Sequence, residues 1–328
     1  MIRRPPRSTL SSSSAASDVY KRQLRDNVWG TLEEDCIRRD FSINALYFDP
    51  VENHLCDFHD GLKHIQKKIL VSIGNPLVRF EEDPVRSLRA IRFSSKLKFK
   101  ISNDIKEAIY QKGNLLENIS NARMFDEFCK IFLTKEAQNN FNKLNSFGVL
   151  KYLINTENHP ENSFDSRFQQ AALINTDNRL KASKSVTPGF LIAALLWPRL
   201  IDAAKEKGSL NLRKFFRNMD RIIREQQELT AVPRKFHGYI KDIWSLQLKL
   251  ETRLGHQPYK ILNHPRFRAA YDFLLLREEA ANDTQGMGEW WTKFQRINRP
   301  AKIEMLKILR DSRSGPVEKK FGFLEELS

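Results

Sequence analysis

Residues 79–93 read RFEEDPVRSLRAIRF. Apolar side chains recur there at three-residue steps from Val85 to Ile91, which is the spacing of the buried face of an amphipathic helix. Pro84 suits the first helical position, because its φ angle is already helical and its missing N–H needs no partner there. The stretch therefore predicts a helix that begins close to Pro84 and ends close to Leu97.

Asp83 and Arg86 are three residues apart and are expected on one side of this helix. A carboxylate accepts a hydrogen bond from an exocyclic amine, and a guanidinium donates one to the neighbouring ring nitrogen. Adenine and cytosine present that donor–acceptor order on their Watson–Crick edges, whereas guanine and uracil present the reverse order. The pair has two interpretations: a capping carboxylate with a helix salt bridge, or selection of A or C without a template.

A second candidate site is the run Arg38-Arg39-Asp40-Phe41. Two adjacent guanidiniums suit phosphate oxygens. Asp40 can accept from a ribose hydroxyl or coordinate a hard cation. The alternative is a surface pair in which Asp40 is the N-cap of the next helix.

Composition narrows the class of protein. The chain has 328 residues, enough for about two folding units, and 41% of them are hydrophobic, which is compatible with a packed core. The formal net charge of +15 indicates either a polyanionic partner, most often nucleic acid or nucleotide, or a solvated basic surface. Three cysteines favour a reducing compartment over a disulfide scaffold. The longest apolar run, 190–197, is stopped by Pro198 and is too short to cross a bilayer.

Helical patterns dominate the chain after residue 75. Before it, short strands are expected at 54–58 and 69–73, and a short helix at 42–47. Further helices are predicted at 103–111, 122–133, 166–178, 188–206, 210–229, 238–252, 266–281, 287–296 and 301–310. Residues 1–23 are basic, serine-rich and poor in apolar side chains. They are expected to be disordered and, because they resemble translated sequencing adapter, non-native.

Several of these motifs together resemble the class II nucleotidyltransferases, the family of CCA-adding enzymes and bacterial poly(A) polymerases. Residues 35–46, DCIRRDFSINAL, resemble its motif B, and 57–61, DFHDG, its DxxxG element. Residues 79–93 resemble the EDxxR motif that selects the incoming base. Arg123 and Glu127 match the RxxxE spacing of a supporting helix. The segments 242–248 and 264–277 resemble bacterial poly(A) polymerases in particular.

The resemblance implies a fold and its divisions. The fold class is mainly α, with the remnant of an α/β nucleotidyltransferase head followed by a helical neck and body. The implied ranges are a partial head at 24–74, an RNA-binding neck with the base-selecting motif at 75–140, and a helical body with the C-terminal poly(A) polymerase domain at 141–328.

The resemblance also implies roles for individual residues. Asp40 becomes the catalytic aspartate near the ribose and triphosphate, and the nucleotide-binding set comprises Arg38, Arg39, Asp40, Glu82, Asp83, Arg86 and Arg89. Glu82 is expected to orient Arg86, and Arg123 and Glu127 to give structural support. Basic residues from Arg89 to Lys100 extend the site into an RNA or triphosphate track or form a solvated face.

The implied reaction is attack of an RNA 3′-hydroxyl on the α-phosphate of ATP, with Mg²⁺ as the expected ion of the intact family member. The family's DxD metal pair is not found upstream of motif B, so no metal ligand is assigned, and we expect this chain to be N-terminally truncated and nearly inactive. The expected partners are ATP and RNA 3′ ends, with the RNA-degradation machinery as a further candidate, no membrane, and a cytoplasmic location. A CCA-adding enzyme and a non-catalytic RNA-binding protein are the alternatives.

Overall fold

A computed structural model describes residues 31–156, 160, 163–281, 284 and 286–312. The chain divides into two compact units, of which the first ends at Gly74 and the second begins at Asn75, except that residues 68–70 belong to the second. The expectations for residues 1–23 lie outside the described residues. Within the described ranges, no helix is both long and apolar enough to cross a membrane.

The first unit contains two helices and one antiparallel hairpin among its described residues. They are α1 (Leu32–Arg38), β1 (Leu46–Asp49), β2 (His54–Asp57) and α2 (Gly61–Gln66). Leu46 pairs with Asp57 and Asp49 with His54. A small buried cluster of Cys36, Ala45 and Ile73, with Tyr47 packed against it, forms the core. The predicted strand near 54 is thus confirmed, whereas the helix expected at 42–47 is limited to a 3-10 turn, Ser42–Asn44, before β1.

The second unit is almost entirely helical in its described part. Its helices are α3 (Pro76–Glu82), α4 (Val85–Leu97), α5 (Asn103–Lys112), α6 (Asn121–Phe132), α7 (Ala137–Ser146), α8 (Phe164–Lys181), α9 (Pro188–Ala204), α10 (Leu212–Gln227), α11 (Arg234–Glu251), α12 (Gln257–Leu262), α13 (Phe267–Ala281), α14 (Met287–Arg296) and α15 (Arg299–Ser312). Short strands β3 (Ile69–Leu70) and β4 (Lys100–Ile101) pair in parallel, and β5 (Lys205–Glu206) and β6 (Ser209–Leu210) form a hairpin. The strand expected at 69–73 is therefore shorter than predicted.

Helix α9 forms the centre of this unit. It packs against α8, α10 and α11, and its side chains from Leu191 to Trp197 are all buried. The helix predicted at 188–206 is confirmed, since it runs from Pro188 through Pro198 to Ala204. A proline inside a helix removes one backbone hydrogen bond. Burial of Leu200 and Ile201 beyond it offsets this cost, since burying an aliphatic side chain contributes about 1.5–3 kcal/mol.

The two segments that resemble poly(A) polymerases lie in the core. Gln247 on α11 is fully buried and its Nε2 donates to the Ala270 carbonyl on α13 at 3.0 Å. Its Oε1 accepts from Nη1 of Arg277 at 3.1 Å. These residues thus determine how the helices of the body pack.

Candidate functional site

The residues predicted to select the base, Glu82 to Arg86, lie at the corner between α3 and α4. Asp83 ends α3 with extended backbone angles, and Pro84 directly precedes α4. The Asp83 carbonyl accepts from the backbone N–H of Arg86 at 3.0 Å, and its Oδ1 accepts from the N–H of Val85 at 3.3 Å. The helix predicted around Pro84 is confirmed, with the proline one position before its first residue.

Glu82 connects two guanidiniums at this corner. Its Oε2 accepts from Nη1 of Arg86 at 3.0 Å and from Nη1 of Arg79 at 2.7 Å. The side chains of Arg86 and Arg79 are only 16% and 14% exposed, so both are held by the surrounding helices. The hydrogen bond from Arg86, together with the charge of Arg79, lowers the pKa of Glu82. This arrangement can orient Arg86, as predicted from the sequence.

Asp83 is paired with α6 and not with Arg86. Its Oδ2 accepts from Nη2 of Arg123 at 2.8 Å, across forty residues of sequence. Arg86 donates instead to Glu82 and, at 3.1 Å, to the Arg79 carbonyl. Of the two interpretations of this pair, the salt bridge within the helix is therefore wrong: the Asp83 carboxylate and the Arg86 guanidinium are each held by a separate clamp.

Glu127 lies one turn along α6 and is buried. Its Oε1 accepts from Nζ of Lys130 at 2.7 Å, whereas Oε2 has no hydrogen-bond partner among the described residues. Arg123 therefore pairs with Asp83 at the α3–α4 corner, whereas Glu127 pairs with Lys130 on its own helix. Arg89, on the next turn of α4, lies over the ring of Phe93 at 5.4 Å.

The Arg38-Arg39-Asp40 run belongs to the first unit. Arg39 is paired with Asp35 through Nε at 3.2 Å and Nη2 at 2.8 Å, and it lies over the ring of Tyr47. Hydrogen bonds from Tyr47 and then Arg39 lower the pKa of Asp35. Arg38, the last residue of α1, is exposed. Asp35 is thus engaged by contacts within its own unit.

Asp40 is buried, and its carboxylate organises the turn that follows. Oδ1 accepts from the backbone N–H of Phe41 at 2.9 Å and from Nδ2 of Asn44 at 3.0 Å. The Asp40 carbonyl accepts from the N–H of Ile73 at 3.2 Å. The Asp40 carboxylate is therefore held by contacts within its own turn. The interpretation of Asp40 as the N-cap of the next helix is wrong, because the N-cap position of the 3-10 turn Ser42–Asn44 is Phe41 and has no side-chain cap hydrogen bond.

The DxxxG element connects β2 to α2, with Asp57 at the end of the strand and Gly61 at the start of the helix. Burial would raise the pKa of Asp57, but backbone N–H groups of Leu62, Gly61 and His59 donate to its carboxylate and hold the pKa below its usual value. A Cβ atom on Gly61 would lie 2.6 Å from the Ser42 carbonyl oxygen. Glycine is required there because the start of α2 approaches the Ser42 carbonyl too closely for a Cβ atom.

The described residues do not offer a magnesium site. No group of three or more His, Cys, Asp or Glu side chains within the described ranges is placed to hold a metal ion. The Asp40 carboxylate is already hydrogen-bonded within its own turn. We therefore assign no step of a reaction to Mg²⁺ in this chain.

One cluster of basic and aromatic residues in the second unit is not identified by the sequence patterns. Lys100, Lys106, Lys143 and Phe147 line a cleft of about 480 Å³. Only Lys100 had been singled out, as part of the basic run after α4. Lys143 and Phe147 are spaced as neighbours on a helix face, and that spacing was the available signal.

Three family models match consecutive parts of the chain. "Poly A polymerase head domain" matches residues 6–71, "Probable RNA and SrmB- binding site of polymerase A" matches 98–161, and "Polymerase A arginine-rich C-terminus" matches 207–320. The first match begins within the segment that sequence analysis predicts to be non-native.

Two curated relatives show the extent of the similarity. Poly(A) polymerase I of Salmonella typhi is 36% identical over 298 residues, which is 88% of this chain and 64% of the relative. The CCA-adding enzyme of Lactococcus lactis subsp. lactis is 38% identical over 145 residues, which is 44% of this chain and 36% of that enzyme. The chain thus spans less than two thirds of the length of the poly(A) polymerase it matches.

Solved structures share the fold. A tRNA-processing enzyme with CTP matches with a TM-score of 0.58 and 24% identity, covering 87% of this chain and 74% of the other. The Thermotoga maritima CCA-adding enzyme complexed with tRNA matches with a TM-score of 0.54 and 20% identity, covering 90% and 73%. The predicted architecture, a nucleotidyltransferase head with a helical body, is confirmed. Since relatives along nearly the whole chain and three successive family models agree, the chain belongs to the poly(A) polymerase family of nucleotidyltransferases.

Proposed function

We propose that the protein is a template-independent polynucleotide adenylyltransferase that adds AMP from ATP to RNA 3′ ends. The 3′-hydroxyl oxygen attacks the α-phosphorus of ATP, a new phosphodiester bond forms, and pyrophosphate leaves. The observation that carries the proposal is the double clamp at the α3–α4 corner. Glu82 holds Arg86, and Arg123 holds Asp83, so that an acceptor and a donor are fixed one helical turn apart.

The clamp supports a preference for A and C over G and U. Adenine offers its N6 amine to the Asp83 carboxylate and its N1 to the Arg86 guanidinium. Guanine would set O6 against the carboxylate and N1–H against the guanidinium, so like groups would meet. A buried acceptor or donor left without its partner costs about 1–3 kcal/mol, which is enough for a preference of roughly tenfold or more.

The remaining predicted residues take supporting roles in the proposal. Arg38 and Arg39 hold phosphates or shape the pocket, Arg89 extends the basic track, and Asp40 is the catalytic aspartate near the ribose and triphosphate. Mg²⁺, a cytoplasmic location and contact with the RNA-degradation machinery follow from the family resemblance alone. The expectation that this chain transfers little adenylate by itself also stays a prediction.

The test compares nucleotide binding by the chain and by two arginine variants. Fluorescent ATP and GTP analogues are titrated into the wild type, Arg86→Ala and the control Arg224→Ala, which removes an exposed arginine on α10. We expect Arg86→Ala to abolish the preference for ATP over GTP and Arg224→Ala to preserve it. If Arg86→Ala keeps the full preference, the proposed base selection is wrong.

A second experiment, on the full-length gene product, distinguishes the CCA-adding alternative. The proposed pairing admits adenine and cytosine alike, so the base motif does not separate the two activities. The full-length protein is incubated with a labelled oligo-RNA, or with a tRNA lacking its 3′ end, and with ATP or CTP. Incorporation of CMP into the tRNA would favour the alternative, and incorporation of AMP into the oligo-RNA supports the proposal.

A further inference from the structure

Arg79 lies on the last turn of α3 and contacts three residues of the α3–α4 corner. Its Nη1 donates to Oε2 of Glu82 at 2.7 Å. Its carbonyl accepts from the backbone N–H of Asp83 at 3.2 Å and from Nη1 of Arg86 at 3.1 Å. Arg79 therefore joins the proposed base acceptor, the proposed base donor and the carboxylate that holds the donor.

The exposure of the three side chains shows which of them is held by packing. The side chain of Glu82 is 49% exposed, whereas those of Arg79 and Arg86 are 14% and 16% exposed. An ion pair that is open to water is weak, so a half-exposed carboxylate can turn away from a single arginine. Here both guanidiniums donate to the same oxygen, Oε2. The mostly buried Arg79 thus keeps the carboxylate turned toward Arg86.

Helix α3 is itself fixed, which gives Arg79 a defined position. A helix of seven residues is not stable alone, because too few hydrogen bonds form to repay its nucleation. Oδ1 of Asn75 caps its start by accepting from the N–H of Leu77 at 2.9 Å, and Phe80 is buried. Glu81 forms an ion pair with Lys112 on α5. The Arg79 carbonyl is therefore a fixed acceptor for the Arg86 guanidinium.

We propose that Arg79 is a positioning residue for base selection: it fixes the Glu82 carboxylate and, through it, the guanidinium of Arg86. The inference rests on the proposed function, in which Arg86 donates to a ring nitrogen of the base. A guanidinium that can move aside no longer meets the N1–H of guanine, so the penalty against GTP falls. Loss of Arg79 therefore reduces selection between the bases and leaves contacts to the phosphates in place.

The variants separate the charge of Arg79 from its backbone carbonyl, which neither substitution removes. Arg79→Met eliminates the charge and keeps an apolar side chain, whereas Arg79→Lys keeps a cation that can donate to Glu82. The matched control is Arg199→Met. Arg199 lies on α9, its side chain is 23% exposed, and its Nη2 donates to Glu225 on α10 at 2.8 Å. The control thus removes a similar ion pair from another part of the unit.

The first measurement contains no nucleotide. In the chain produced with ¹⁵N-labelled arginine, NMR gives the rate at which the Arg86 guanidinium rotates about its Nε–Cζ bond, and Arg86→Lys identifies the signal. We expect Arg79→Met to speed this rotation about tenfold, because a hydrogen bond to a charged group stabilises its partners enough for such a change. Arg79→Lys and Arg199→Met should stay close to the wild type. Unchanged rotation in Arg79→Met would overturn the proposal.

The second measurement compares the Kd values of fluorescent ATP and GTP analogues. Arg79→Met should lower the preference for ATP by about threefold or more, mainly because GTP binds more tightly, and Arg79→Lys should restore most of the preference. A merely structural role of Arg79 would weaken both nucleotides equally. Equal weakening, or a similar loss of preference in Arg199→Met, would overturn the proposal.

A double variant tests whether Arg79 acts through Glu82. If it does, adding Arg79→Met to Glu82→Gln changes the preference for ATP no further, since the carboxylate that transmits the effect is already gone. Effects that multiply in the double variant would show that the two residues act independently, and the proposal would be wrong.

Failure of this inference is distinguishable from failure of the proposed function. If the wild type does not prefer ATP, or if Arg86→Ala keeps the full preference, the proposed base selection is wrong and the inference fails with it. If Arg86→Ala abolishes the preference and Arg79→Met leaves it intact, the proposed base selection stands and only the role of Arg79 is wrong.

Discussion

Asp177 caps the start of α7, the helix that carries Lys143, so substitution of Asp177 should lower the stability of that region. Helix α7 begins after Glu136, whose own side chain does not cap it. Asp177 on α8 supplies the cap instead: Oδ1 accepts from the backbone N–H of Ala137 at 2.6 Å and Oδ2 from that of Gln138 at 3.3 Å. The residue is only 7% exposed, so water has little access to these groups.

The loss in Asp177→Ala follows from these two bonds. A buried donor without a partner costs about 1–3 kcal/mol, and removal of a helix cap costs about 0.5–2 kcal/mol. Removing a buried charge offsets part of this, which leaves a destabilisation of about 2 kcal/mol. For a unit of this size the unfolding midpoint should fall by about 4–8 °C, measured by calorimetry. Asp177→Asn retains an acceptor for Ala137 and should stay within about 1 kcal/mol of the wild type.

The pKa of Asp177 predicts how the difference in stability between the wild type and Asp177→Asn changes with pH. Burial raises the pKa of Asp177, and the two backbone N–H groups only partly counteract it. Because the folded-state pKa lies above the unfolded one, the group favours folding at low pH, and this contribution is lost as pH rises through the folded pKa. The free energy of unfolding of the wild type should therefore increase relative to that of Asp177→Asn as pH falls from 7 to about 4. A difference that moves in the opposite direction, or an unaltered midpoint in Asp177→Ala, would refute the reasoning.

Three further predictions concern other parts of the chain. Gly61→Ala places a methyl group 2.6 Å from the Ser42 carbonyl oxygen. Hydrogen exchange in residues 40–66 should therefore speed up by an amount equivalent to about 1–3 kcal/mol. Unchanged protection of these residues against exchange would contradict the close approach. Burial raises the pKa of Cys129 to about 11, so its alkylation at pH 8 should be slow and should accelerate about tenfold per pH unit; rapid labelling at pH 8 would contradict this. Arg277 is 2% exposed and lies 3.6 Å from Glu251. Arg277→Ala should therefore lower the free energy of unfolding in urea by about 3–5 kcal/mol, whereas Arg277→Met/Glu251→Gln should recover most of that loss. Equal losses in the two variants would show that the charge of the pair is irrelevant.

The sequence was sufficient to predict most long helices, because their apolar faces repeat regularly. The helix predicted at 287–296 has the same bounds in the structure, the one predicted at 103–111 extends one residue further, and the one predicted at 122–133 begins and ends one residue earlier. Helix α7 was missed because its sequence, AQNNFNKLNS, is rich in asparagine, a weak helix former. It forms because Phe141 and Leu144 are buried and Asp177 caps it from α8. Such tertiary contacts have no signature within the helix itself.

The candidate site shows the same division between local and distant causes. The contact between Glu82 and Arg86 was expected from the family resemblance, and it forms across the short corner where Asp83 separates α3 from α4. The spacing of Asp83 and Arg86 suggested a second local pair, which the structure contradicts. The actual partner, Arg123, approaches from α6, and only the fold brings it there. The role of Arg123 as a support was predicted from the family pattern, whereas the atom it contacts was not.

The segments 242–248 and 264–277, which resemble poly(A) polymerases in particular, bear on which parts of the protein determine the choice of substrate. In this chain they contribute Gln247 and Arg277, both almost wholly buried and hydrogen-bonded to each other. Buried side chains do not contact RNA, and the pairing that we propose for Asp83 and Arg86 fits adenine and cytosine alike. We therefore expect the difference between the two activities to arise from the surfaces that these helices position, such as the shape and charge of the body, and not from the proposed nucleotide pocket alone.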